Sequence, residues 1–215
     1  PYEKTMRVSS SINELDRVLG GGVMRPSSVL VGGEPGIGKS TLMLQLIASL
    51  SEYGSTLYIS GEESPSQVRL RAERLNLQTE KIQIFCDTRL EAIIETMERI
   101  EPDYIVVDSI QTLSSSTLDS TAGSPNQIKT CCMELSLRAK KMGSAIFFIG
   151  HVTKDGLIAG PKIVEHMVDT VLYFESAENG IRLLRASKSR FGSVDEIGLF
   201  EMNEHGLRGV KDPTE

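Results

Sequence analysis

A chain of 215 residues, 40% hydrophobic and 24% charged, has room for one sizeable core and fits a single α/β domain spanning 1–215. Its formal net charge of −6 excludes a surface coated for nucleic acid, though not a local basic groove. No apolar run approaches a membrane span and no signal peptide opens the chain, so a cytoplasmic protein with no membrane partner is expected. The cysteines Cys86, Cys131 and Cys132 form no C-x-x-C pair and no metal spacing, and read as reduced thiols. The chain opens at Pro1 rather than at methionine, as expected of a piece excised from a longer protein.

Taken in order, Ile12, Leu15, Val18 and Leu19 space a short helix that Gly20-Gly21-Gly22 closes. Ser28 to Val31 is a buried strand. Gly33-Glu34-Pro35-Gly36-Ile37-Gly38-Lys39-Ser40 follows, a complete G-x-x-x-x-G-K-[ST] phosphate loop, and Thr41 to Leu50 is the helix after it. In that context the glycines let backbone N–H groups curl around a phosphate chain, and the helix N-terminus adds its positive dipole end. Lys39 is predicted to reach the β- and γ-phosphates and Ser40 to place its hydroxyl on Mg²⁺, with Thr41 completing the nucleotide-binding set. A nucleoside triphosphate with Mg²⁺ is therefore the expected ligand.

Thr56 to Ser60 is the next strand, and Ser64 caps a helix from Pro65 to Leu75. Ile82 to Phe85 is a strand, and Thr88 with Glu91 reads as a capping box on a helix that stops before Pro102. Tyr104 to Asp108 is strongly strand-like, and Ser109 to Ser124 reads as a long functional or mobile loop. A helix runs from Pro125 to Met142, Ala145 to Ile149 is a strand, and His151 to Pro161 reads as loop. Thr170 to Phe174, Ile181 to Ser187 and Glu196 to Met202 close the chain as strands, with a hairpin turn at Asn179-Gly180. The order predicts a mostly parallel central sheet flanked by helices and extended by antiparallel C-terminal strands.

Asp108 ends an apolar strand, where a carboxylate emerges at the edge that binds ligands, and is expected to hold Mg²⁺ with Ser40. Glu62 and Glu63 also follow a strand. One of them is expected to activate the attacking water; Glu62 is favoured, with Glu63 fitting a capping role at the next helix. His151 reads either as a γ-phosphate sensor or as a structural histidine. Lys188 and Arg190 flank one residue on an extended segment and so share a side. They read either as a solvated basic edge or as a catalytic finger supplied to a neighbouring subunit.

Several stretches together resemble the ATPase core of the RadA (Sms) family of bacterial DNA repair and recombination proteins, which belongs with RecA-like and DnaB-like motors. They are S-S-S-I-N-E-L-D-R-V-L-G-G-G, the phosphate loop, Y-I-S-G-E-E-S, V-V-D-S-I-Q-T-L, G-H-V-T-K-D-G-L-I-A-G-P-K, H-M-V-D-T-V-L-Y-F-E and K-S-R-F-G. The resemblance covers about Val8 to Val210. The family signature is K-N-R-F-G; Ser189 replaces the asparagine, while both cations, Phe191 and Gly192 are kept. The family's N-terminal four-cysteine zinc module and C-terminal Lon-like domain have no counterpart here, so no zinc is expected in this fragment.

The resemblance implies a RecA-like ATPase working as a hexameric ring on single-stranded DNA. It would drive branch migration of recombination intermediates beside a RecA-type recombinase. Lys188 and Arg190 would enter the neighbour's site. The loops Ser114 to Ser124 and Thr153 to Lys162 would face the channel, with Lys154 and Lys162 giving a basic lining by backbone contact. A KaiC-like signalling ATPase is the alternative, although such chains do not usually carry K-x-R-F-G or the H-V-T-K loop. A guanine-reading N-K-x-D motif is not formed at Thr153-Lys154-Asp155-Gly156.

Overall fold

In the computed structural model, which describes residues 7–152 and 159–210, the core is a nine-stranded sheet. Its strands are β3 (Ser27–Gly33), β4 (Thr56–Ser60), β5 (Ile82–Cys86), β6 (Tyr104–Asp108), β7 (Ala145–His151), β8 (Thr170–Ser176), β9 (Arg182–Ser189), β10 (Ile197–Asn203) and β11 (Gly206–Gly209). The spatial order is β11-β10-β9-β8-β3-β7-β6-β4-β5. From β8 to β5 the pairings are parallel, and β9, β10 and β11 join antiparallel, as the sequence predicts. A separate two-stranded ladder joins β1 (Arg7–Val8) to β2 (Val23–Met24).

Helices cover both faces: α1 (Asn13–Val18), α2 (Lys39–Leu50), α3 (Pro65–Arg74), α4 (Leu90–Ile100), α5 (Pro125–Met142) and α6 (Ala159–Val164). Strand periodicity divides the core. Val29, Val31, Tyr58, Val106, Phe147 and Ile149 pack with α2, while Leu30, Leu57, Ile59, Val107, Phe148 and Ile146 pack with α4 and α5. Leu42, Met43, Leu44, Leu46, Ile47 and Leu50 of α2 are all fully buried. Each contributes roughly 1.5–3 kcal/mol of transfer free energy. The helix after the phosphate loop is therefore a rigid platform.

Local signals account for several boundaries. Ser64 and Gln67 form a capping box on α3, with Pro65 at its first position. Gly143, at φ 72°, ends α5 in the left-handed conformation. The hairpin between β8 and β9 turns at Asn179 and Gly180, at φ 58° and 74°.

Other expectations are corrected. Helix α2 begins at Lys39 rather than Thr41. The Thr88–Glu91 box does not form: Arg89 occupies the cap position without a side-chain cap bond. The Glu91 carboxylate instead accepts from Ser115 Oγ, Ser116 N and Ser116 Oγ at 2.9–3.0 Å. The segment Ser109 to Ser124 carries a 3-10 turn at Ile110–Thr112 and is anchored by Gln127, whose amide donates to Ser115 O and Ser120 O and accepts from Ser115 N. The loop expected at His151 to Pro161 gives way to α6 from Ala159.

Candidate functional site

Strand β3 delivers the phosphate loop to the C-terminal edge of the parallel strands. Gly33 has no room for a side chain, since a Cβ there would lie 2.6 Å from Phe174 O. Gly38 sits at φ 115°, a left-handed conformation that favours glycine, under Met202 and Leu207. A cleft of about 170 Å³ is lined by Gly36, Gly38, Lys39, Ser40, Thr41, His151 and Met202. Lys39 is 3% exposed, and its ammonium donates to Gly33 O at 2.5 Å and Glu34 O at 2.7 Å. Burial pushes it down to about 8, against the attraction of Asp108 and Glu34.

Sheet register gathers the other residues at the same edge. Gly33 pairs with His151, Ile149 with Asp108, and Asp108 with Ser60, the residue before Gly61 and the two glutamates. Asp108 is 8% exposed, and its Oδ2 accepts from the Tyr58 hydroxyl at 2.7 Å. The Asp108–Ser109 peptide is cis.

The two glutamates are treated differently. Glu63 Oε1 accepts from Arg71 at 2.8 Å, whereas Glu62 is exposed with its carboxylate directed to no hydrogen-bond partner among the described residues. Both backbone N–H groups donate to Ser60 Oγ, at 3.4 Å for Glu62 and 3.1 Å for Glu63. His151 is held below the usual histidine range by burial and then by Lys39; Asp108 and Glu62 act in the opposite sense. The imidazole thus lies within electrostatic reach of all three. Gln111 Nε2 donates to His151 O at 3.0 Å.

Lys188 and Arg190 are not brought to this cleft. Lys188 donates to Glu165 O and Val168 O at 2.8 Å, and Arg190 pairs with Asp169 at 3.0 Å. Asp169 in turn bonds Ser28 at the start of β3. Ser28 and Gly33 are five residue steps apart along the strand, about 16 Å at ~3.3 Å per step. Arg190 remains 62% exposed beside a hollow of about 510 Å³ walled by Met24, Pro26, Met133, Leu137, Met167 and Phe191. Lys162 is exposed on α6, and Lys154 lies outside the described residues. Tyr58, Arg71, Gln111 and Met202 belong to the site although sequence reasoning did not single them out. Tyr58 and Met202 fall within strands read from the sequence, and Arg71 within the helix from Pro65 to Leu75.

The phosphate loop between a buried strand and a buried helix, with a strand-end aspartate two strands away, defines a RecA/KaiC-type P-loop ATPase fold. The KaiC ATPase family model matches residues 8–85. A crystal structure of a KaiC-like protein from the hyperthermophilic archaeon Pyrococcus horikoshii superposes with a TM-score of 0.79 at 21% identity, covering 95% of this chain and 99% of that one. DNA repair protein RadA of Treponema pallidum is 52% identical over 98% of this chain and 46% of its own length. Those of Listeria monocytogenes and Bacillus subtilis are 52% and 51% identical over 99% and 97% of this chain, and 47% and 46% of theirs. The chain belongs to the RadA family. It spans about half the length of these relatives.

Proposed function

We propose that the chain is the ATP-hydrolysing core of a DNA repair motor. It binds single-stranded DNA, assembles as a hexameric ring, and moves branched recombination intermediates beside a RecA-type recombinase. The observation that carries the hydrolytic part is the convergence of Lys39, Asp108, Glu62 and His151 on one strand edge, with Glu63 alone held in an ion pair. The repair role rests on the RadA relatives, at about half identity across this chain.

The donor set fits a Mg²⁺–nucleotide. Ser109 Oγ, Gln111 Oε1 and His151 Nδ1 are buried without partners among the described residues, which suits a polar ligand beside them. One carboxylate, Asp108, with the Ser40 hydroxyl suits a cation that keeps waters and phosphate oxygens in its shell. When bound, Mg²⁺ supplies neutralisation of charge developing on the phosphates. Lys39 exchanges its loop carbonyls for phosphate oxygens, and the backbone N–H groups of residues 36–41 hold the chain of phosphates. Glu62 orients and deprotonates the attacking water, and His151 reads the terminal phosphate beside it.

Arg190 lies at the far edge of the sheet, exposed, next to an apolar hollow, which supports a second copy docking there and receiving Arg190 in its own cleft. Lys162, with Lys154, is assigned to the DNA-facing side.

The test is ATP turnover with and without single-stranded DNA, read alongside oligomer mass. DNA-stimulated turnover by an oligomer is expected. Turnover indifferent to DNA would favour a KaiC-like timer, and no turnover at all would reduce the chain to a nucleotide-gated scaffold.

A further inference from the structure

A hydroxyl at the centre of a fully buried strand is costly unless it is bonded, and a phenylalanine would fill the same space. Tyr58 is 0% exposed in β4. Its hydroxyl donates to Asp108 Oδ2 at 2.7 Å and accepts from Arg71 at 3.0 Å, on the same guanidinium nitrogen that holds Glu63 at 2.8 Å. A continuous relay, Asp108–Tyr58–Arg71–Glu63, buried at Asp108 and Tyr58 and partly exposed at Arg71 and Glu63, therefore joins the strand-end carboxylate to the glutamate pair. The Arg71 guanidinium can only donate, so the phenol's single proton is directed to Asp108.

The geometry is asymmetric in a useful way. Tyr58 occupies Oδ2, leaving the other carboxylate oxygen of Asp108 without a hydrogen-bond partner among the described residues, and the carboxylate within electrostatic reach of Lys39. Arg71 fixes Glu63, while Ser60 Oγ gathers the N–H groups of both glutamates, so Glu62 alone is left to project. Without the phenol, Asp108 would be free to turn toward the Arg71 guanidinium.

We propose that Tyr58 and Arg71 are positioning residues of the nucleotide site: they aim Asp108 at the metal and withdraw Glu63 from the reaction. This rests on the ATPase reading given above. Neither residue touches the reacting atoms.

The experiment titrates Mg²⁺ into the protein with fluorescently labelled ADP and reads binding rather than turnover. In wild type, Mg²⁺ should tighten binding at a defined midpoint. Tyr58→Phe should raise that midpoint about tenfold, the usual scale for losing a partner of a metal-holding group. Its affinity for labelled ADP in EDTA should stay within about twofold of wild type. Arg71→Gln, which leaves the buried phenol in place, should shift the midpoint in the same direction by a smaller factor, and it carries the test if Tyr58→Phe does not fold. An unchanged Mg²⁺ midpoint in a folded variant overturns the proposal. Equal weakening with and without Mg²⁺ also overturns it, since that is what a purely structural tyrosine would give. If wild type binds no labelled ADP under either condition, the nucleotide reading itself fails, a separate result.

Discussion

Raising the pH from 7 to 9 should weaken nucleotide binding, because the triphosphate needs the charged form of Lys39. In the free protein, burial holds that ammonium near 8, so about nine-tenths of it is charged at pH 7 and about one-tenth at pH 9. A bound phosphate chain keeps the lysine charged, so the apparent dissociation constant should rise about tenfold across that window. The same shift has a mirror in stability. The folded-state value lies below the unfolded value near 10.5, so the unfolded chain binds more protons between about pH 8 and 10.5. The contribution of this residue therefore rises with pH through that range and is lost as pH falls toward 8. The full span is on the order of 3 kcal/mol. The assay is equilibrium binding of labelled ADP from pH 7 to 9.5, with Lys39→Arg as the control that does not titrate. A flat wild-type profile, or an equal decline in Lys39→Arg, would mean that Lys39 does not set the pH dependence of binding.

Three further outcomes separate the parts of the site. Glu62→Gln should lower turnover by about 10²–10⁴ with nucleotide binding kept, whereas Glu63→Gln should stay within about tenfold of wild type and lose at most ~1 kcal/mol of stability; single-turnover kinetics and thermal melts check both. Gly33→Ala should fail to bind nucleotide and lower the melting temperature, because its Cβ would meet the Phe174 carbonyl at 2.6 Å, backbone that cannot yield cheaply. Lys162→Ala should weaken single-stranded DNA binding and flatten its salt dependence, measured by anisotropy across a salt series; unchanged binding would remove α6 from the DNA path.

The contiguous signals were readable from the chain. The phosphate loop, the Ser64 cap, the Pro125 start and Gly143 end of α5, and the Asn179-Gly180 turn are all local chemistry, and each formed where expected. Alternating apolar strands with helices between them were enough to place the sheet. What resisted were side chains whose partners lie far along the chain. Glu91 looked like half of a capping box until Ser115 and Ser116, on a distant loop, took its carboxylate. The serine-rich segment looked unsupported because its anchor, Gln127, belongs to the next helix. Sequence could not separate the adjacent Glu62 and Glu63; the structure distinguishes their surroundings, since Arg71 of α3 pairs with Glu63 and not with Glu62. Tyr58 was invisible as a functional residue because a tyrosine in a buried strand looks like core. Strand β11, four residues with a glycine at each end, carried too little pattern to be read.

In the proposed function, the hydrolytic site is finished by a neighbouring subunit. The most direct measurement is ATP turnover per subunit as a function of protein concentration, for wild type and Arg190→Ala, with mass determined at each point. Wild-type turnover per subunit should climb as oligomers form, and Arg190→Ala should lose about 10³–10⁵ of it at equal oligomer mass. Full turnover per subunit from monomers, unchanged by concentration and by Arg190→Ala, would contradict the shared site.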